Sequence, residues 1–202
     1  MDAEEWNERY RESELVWSAG PNVFVEAELA DLRPGRALDL AAGEGRNAIW
    51  LARQGWQVTA VDFAQAGLDK GRTIAEGLDV EWVCADATTW SAGADRDGYD
   101  LCLIAYLQLT AAQRGAAVRN GYAALRPGGT FFLVAHDSTN LAEGTGGPQD
   151  LSVLMTAEDV LADLGGEVFE VQRAGRAERP VPQPDGSTAT AYDTVVRLVR
   201  RK

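Results

Sequence analysis

From residue 36 onward the chain alternates short apolar runs with stretches of helical periodicity. Apolar or β-branched runs fall at 36–40, 57–61, 80–85, 99–104 and 130–135, each bounded by turn residues or an acid. Runs of this length predict strands. Helical patterns separate them: one toward Ala52 that Gln54-Gly55 stops, one from Ala64 to Glu76, and an alanine-rich one from Thr110 to Leu125 closed by R-P-G-G. Strand and helix in turn, joined by short connections, predict a parallel, doubly wound α/β sheet. A helix at 156–164 opens on the capping sequence T-A-E-D, and two last strands are expected at 167–173 and 191–199. Between those strands lie Pro180, Pro182 and Pro184, so that segment is expected to be a loop. Upstream, 3–16 predicts a helix with Trp6 and Tyr10 on one face, followed by Trp17. Asn22 caps a second helix whose Val25, Leu29 and Leu32 share a side, and Pro34-Gly35 ends it.

The chemistry begins at 36–47, R-A-L-D-L-A-A-G-E-G-R-N. A strand carrying Asp39 breaks into small residues, and Gly43 and Gly45 lead into a helix. A turn without bulky side chains brings backbone N–H groups and a helix N-terminus close to a nucleotide-like ligand. The second strand ends on Asp62, nineteen residues past Gly43, where a carboxylate can accept from ribose hydroxyls. Phe63 follows and can lie along a purine face. A third acid, Asp86, closes the third strand. Gly43 to Ala48 also satisfies G-x-G-x-x-A, so a nicotinamide dehydrogenase is the competing interpretation; Asp39 and Asp86 pull away from it.

Charge and cysteine content narrow the class. A formal net charge of −12 argues against sequence-independent nucleic-acid binding, which needs a basic face. The opening M-D-A-E-E-W is acidic and no apolar run is long enough to span a bilayer, so a soluble cytoplasmic protein is expected, with no membrane partner. Cys84 and Cys102 lie in strand-like runs without metal-ligand spacing and are expected in the core. One histidine and two separated cysteines make no metal site.

At D-L-A-A-G-E-G-R-N (39–47), V-T-A-V-D-F (58–63), C-A-D-A (84–87), I-A-Y-L (104–107) and L-R-P-G-G-T (125–130) the sequence resembles the class I S-adenosylmethionine-dependent methyltransferases. Within them it is most similar to the small single-domain group that includes tellurite-resistance and thiopurine methyltransferases. The resemblance implies a Rossmann-like, mostly parallel seven-stranded sheet with an antiparallel last strand and helices on both faces. It implies a single domain over 1–202, with a helical lid (1–33) on a core (34–202). It further implies that Gly43 and Gly45 line the methionine part of the cofactor while Asp39 holds its amino group. Asp62 would take the ribose hydroxyls, Phe63 the adenine face, and Asp86 and Ala87 the adenine edge. Ala105 would lie near the sulfonium, with Tyr10 and Trp17 closing over it. One departure is Ala41, where the family carries its first glycine; the added methyl is tolerated if φ stays negative.

A sulfonium methyl needs in-line placement and a nucleophile with a free lone pair, in some cases after one deprotonation. The only histidine, His136, stands at the expected end of the fifth strand and Tyr106 at that of the fourth. His136 is the candidate contact to the acceptor and general base, with Tyr106 and the loop 144–149 shaping the pocket. Arg173, Arg176 and Arg179 would suit an anionic acceptor if they face the site; a solvated loop is the plainer interpretation. The expected activity is methyl transfer to a small molecule, with a hydroxyl, amine, thiol or heavier chalcogen all open. A dehydrogenase and a non-catalytic cofactor-binding regulator are the alternatives. Oligomeric state is not legible.

Overall fold

The structure is a computed structural model describing residues 2–16, 19–93 and 97–202. Its strands are β1 (Arg36–Leu40), β2 (Gln57–Asp62), β3 (Val80–Cys84), β4 (Tyr99–Ala105), β5 (Leu125–His136), β6 (Phe169–Pro182) and β7 (Thr188–Arg200). They form one seven-stranded sheet in the order β3-β2-β1-β4-β5-β7-β6. The first five strands pair in parallel, and β7 runs antiparallel to both β5 and β6. The helices are α1 (Ala3–Glu12), α2 (Val23–Leu29), α3 (Arg46–Arg53), α4 (Gln65–Ile74), α5 (Ala111–Ala123), α6 (Asn140–Glu143) and α7 (Ala157–Asp163).

Both faces of the sheet are covered, as a parallel sheet requires. On one face Leu38, Leu40, Cys102, Ile104, Phe131 and Leu133 meet α5 and α7 through Val118, Tyr122, Val160 and Leu164. On the other, Ala37, Ala60, Leu101, Leu103, Phe132 and Val134 meet α2 and α3 through Val25, Leu29, Ala48 and Leu51. Adjacent strand residues fall into opposite clusters, the period-two alternation of a pleated strand. The order of pairing reverses between β1 and β4, and that switch point is where an open α/β sheet leaves a crevice at its carboxyl ends.

Several expectations shift. The first helix ends at Glu12, not residue 16. Leu125 to Gly129 belongs to β5 and not to the preceding helix: α5 stops at Ala123, and Leu125 pairs with Tyr99. The proline-rich segment is strand, not loop. β6 extends through Pro180 and Pro182, which pair with Thr190 and Thr188. Two residues apart, both prolines turn their nitrogens to one side of the strand, and β6 is the sheet edge where one side needs no donor. Cys102 is buried as expected, whereas Cys84, on the other edge strand, is exposed.

Candidate active site

The strand-end turn is built by close backbone packing. Gly43 and Gly45 have φ of 59° and 75°, the left-handed region open to glycine. A Cβ on Gly45 would stand 2.3 Å from the Trp82 ring, so the glycine is required twice over. The helix beyond the turn's neighbour, α4, approaches just as closely: a Cβ on Gly71 would meet the same ring at 2.4 Å and the Glu44 carbonyl at 2.8 Å. Gly67, one turn earlier, faces the Gly43 carbonyl and the Tyr10 ring. Ala41 also sits at positive φ, 68°, so the condition for an unstrained alanine fails and the residue carries the left-handed cost.

Two acids flank this turn. Asp62 at the end of β2 accepts from the N–H of Gly43 and that of Ala64, each at 2.8 Å, which fixes the turn against the second strand. Burial pushes the Asp62 carboxyl up, against the pull of those N–H groups. Asp39 in β1 is wholly buried, and neither carboxylate oxygen has a hydrogen-bond partner. Burial raises it from 3.8 to about 7; the Ala48 N–H nearby pulls the other way but falls short of a well-formed hydrogen bond, the Asp62 charge adds to the rise, and Arg46 opposes it. A buried carboxylate without donors is costly, and a cationic ligand group would remove that cost.

An N-terminal strap is tied to the same turn. Asn7 accepts from the Ala66 N–H at the start of α4 at 2.7 Å. Tyr10, buried, stacks on Trp6 with ring centroids 5.5 Å apart. Glu44, between the two glycines, accepts from the Val16 N–H at 3.0 Å and pairs with Lys70 at 3.1 Å; Lys70 also donates to the Ser13 carbonyl. A cavity of about 400 Å³ lies beside this strap, lined by Leu15, Ile49, Ile74 and their neighbours. None of the strand-end acids lines it; Trp17, expected to close over the cofactor, lies outside the described residues.

Across the switch point a second cluster forms at the ends of β4, β5 and β7. The β5–β7 register sets His136 opposite Asp193. Asp193 is fully buried, with Oδ1 3.3 Å from His136 Nδ1, and Oδ2 accepting from Arg179 Nε at 2.6 Å and from the Tyr106 hydroxyl at 3.0 Å. Burial works against its charge, but His136 and Arg179 outweigh that and hold the carboxyl below its ordinary value. Tyr106 has φ of 56°, a strained value for a bulky residue, and its hydroxyl also accepts from Asn22 at 3.3 Å. Burial, with the Asp193 charge, pushes the phenol up to about 12, so it stays protonated at neutral pH. Its ring lies 4.9 Å from that of His136. Gly147 also approaches the ring: a Cβ there would come within 2.9 Å of the imidazole.

Residues 37–129 match the model of a methyltransferase domain. That match takes in a little under half of the chain, and over it the chain is similar to methyltransferases. A demethylmenaquinone methyltransferase of Clavibacter sepedonicus is 33% identical over 112 residues, 55% of this chain and 45% of that protein. The chain spans less than half the length of the curated relatives it matches. N-methyltransferase NodS of Bradyrhizobium japonicum, solved with S-adenosyl-L-homocysteine, superposes over the full length of both chains with a TM-score of 0.75 at 15% identity. TehB of Haemophilus influenzae superposes with a TM-score of 0.71 at 19% identity, over 90% of this chain and 63% of that one. It meets the resemblance to the tellurite-resistance group at the level of fold.

On this sheet Asp39, Gly43, Gly45, Asp62 and Phe63 gather at the ends of β1 and β2, and Ala105 and Tyr106 at the end of β4 beside His136. Ala87 is buried, while Asp86 is exposed and its carboxylate already accepts from the Thr88 N–H at 2.7 Å. Of the three arginines, Arg179 alone joins the cluster around Asp193; Arg173 pairs with Glu28 and Arg176 with Glu143. Asn22 caps α2 as expected; what the sequence did not show is its backbone N–H donating to Asn47 Oδ1 at 2.9 Å, which joins the N-terminal segment to the turn. Also missed was Asp193, whose one outward sign is an acid inside the apolar run A-Y-D-T-V-V. Among the described residues no group of three or more metal-ligating side chains occurs, and no helix is long and apolar enough to cross a membrane.

Proposed function

We propose that the protein transfers the methyl group of S-adenosylmethionine to a small-molecule acceptor. The observation that carries this is Asp39, a buried carboxylate with no donor, placed beside a glycine turn that Asp62 clamps from the next strand. An ammonium group answers Asp39, and Asp62, with lone pairs left after its two backbone bonds, answers a ribose diol. The N-terminal end of α3 suits the ligand's carboxylate. Phe63 and Ala87 suit the adenine, and Ala105 leaves room for the sulfonium. Asp86 reaches the adenine edge only by giving up its Thr88 turn, the weakest fit of the set. Tyr10 supports the turn from the side, packed against Gly67. The cofactor supplies an electrophilic methyl; the chain supplies alignment and, through His136, a place for the acceptor's proton.

Titration calorimetry with S-adenosylhomocysteine and with NAD tests the assignment. Binding of S-adenosylhomocysteine, abolished by Asp62→Ala, is expected; binding of NAD alone would overturn it. Cofactor binding without turnover on any of a broad acceptor panel would mark a regulatory cofactor binder.

A further inference from the structure

Resting on that assignment, we infer that Asp193 is a positioning residue that holds His136 as the Nδ1–H tautomer, making Nε2 the base for an acceptor whose attacking oxygen or nitrogen bears a proton. Two atoms are sealed from solvent without a hydrogen bond, His136 Nδ1 and Asp193 Oδ1, and they face each other at 3.3 Å. Arg179 and Tyr106 both bind the opposite oxygen, Oδ2, which leaves Oδ1 to His136. Asp193 is held ionised and cannot donate, so the proton between the pair belongs on Nδ1. Nε2 is then left with its lone pair; among the described residues it has no hydrogen bond, and it is not sealed as Nδ1 is. Tyr106 and Gly147 both pack against the ring and restrict its rotation.

The charged groups around the imidazole are few. Asp193 comes from β7, Arg179 from β6 and the protonated Tyr106 from the end of β4. Asp137, next in the chain, is taken up by Thr139 Oγ1 and Thr194 Oγ1, each at 2.7 Å. The step balances as follows. The acceptor's O–H or N–H proton passes to Nε2, and the electron pair it leaves forms the bond to the methyl carbon. The carbon–sulfur bond breaks onto sulfur, giving a neutral thioether. The imidazolium, stabilised by Asp193, returns its proton to water. Thiol and heavier chalcogen acceptors ionise without help and would not require the pair.

His136 is the sole histidine of the chain, so its ring nitrogens can be read without assignment by long-range proton–nitrogen NMR of the whole protein. The neutral ring is expected as the Nδ1–H tautomer, and Asp193→Asn should shift it toward Nε2–H. A wild-type ring protonated on Nε2 would overturn the inference even if the variant fails to fold. S-adenosylhomocysteine affinity is expected to be unchanged by Asp193→Asn; if the wild type binds none, the cofactor assignment fails instead, separately from the tautomer result. With tritium-labelled S-adenosylmethionine and a panel of phenols, primary amines and thiols, label is expected on a phenol or amine. With that acceptor, Asp193→Asn should lower kcat about 100-fold with little change in KM for the cofactor. Label on thiols alone would refute the acceptor class.

Discussion

Asp39→Asn should strengthen the empty protein while weakening its hold on the cofactor. Asp39 is fully buried, so solvent does not screen its charge, and its carboxyl is raised from 3.8 to about 7. At 1.36 kcal/mol per pH unit, that rise corresponds to about 4 kcal/mol against the ionised form. The sign follows from proton counting. Between about pH 4 and pH 7 the folded chain keeps the Asp39 proton and the unfolded chain has lost it. Wild-type stability therefore falls as pH rises through that window, and the loss is complete above about 7. Asparagine has no such charge. Near pH 4 the two proteins should differ little; at pH 8 the variant should be more stable by up to about 4 kcal/mol, a melting shift on the order of 10 °C. Urea unfolding of both proteins at several pH values measures the difference directly. The same variant should bind S-adenosylhomocysteine at least about tenfold more weakly, because a charge-assisted bond to the ammonium is lost. A stability difference that stays flat from pH 4 to pH 8 would refute the reasoning, since Asp39 would then be ionised or protonated alike in both states.

Two further substitutions test the backbone of the turn. Ala41→Gly removes the Cβ from a left-handed position (φ 68°) and should raise stability by about 1 kcal/mol in urea unfolding, with cofactor binding kept. Gly71→Ala drives a methyl into the Trp82 ring and the Glu44 carbonyl; it should cost about 1–3 kcal/mol and loosen S-adenosylhomocysteine binding, measured by the same unfolding series and by calorimetry.

The strand–helix alternation, the glycine turn and the strand-end acids were legible because they depend on local properties. Apolar period, left-handed backbone and absence of a Cβ are written residue by residue, and Asp39, Asp62 and Phe63 stand where their strand ends place them. The capping box at Thr156 and Asp159 was legible for the same reason. What the sequence could not carry was anything set by pairing across the sheet. Pro180 and Pro182 argue for a loop until β6 is known to be an edge. Cys84 looks buried until β3 proves to be the opposite edge. The sign of φ at Ala41 is a condition the sequence leaves open, and it is positive because the turn's path is fixed by its bonds to the second strand, among them Ala41 N–H to the Val61 carbonyl at 2.8 Å. The partner of His136 lies fifty-seven residues away on an antiparallel strand, and only the β5–β7 register makes them neighbours. Local chemistry marked out the glycine turn; long-range register, which no short window of sequence contains, assembled the cluster of His136, Asp193, Arg179 and Tyr106.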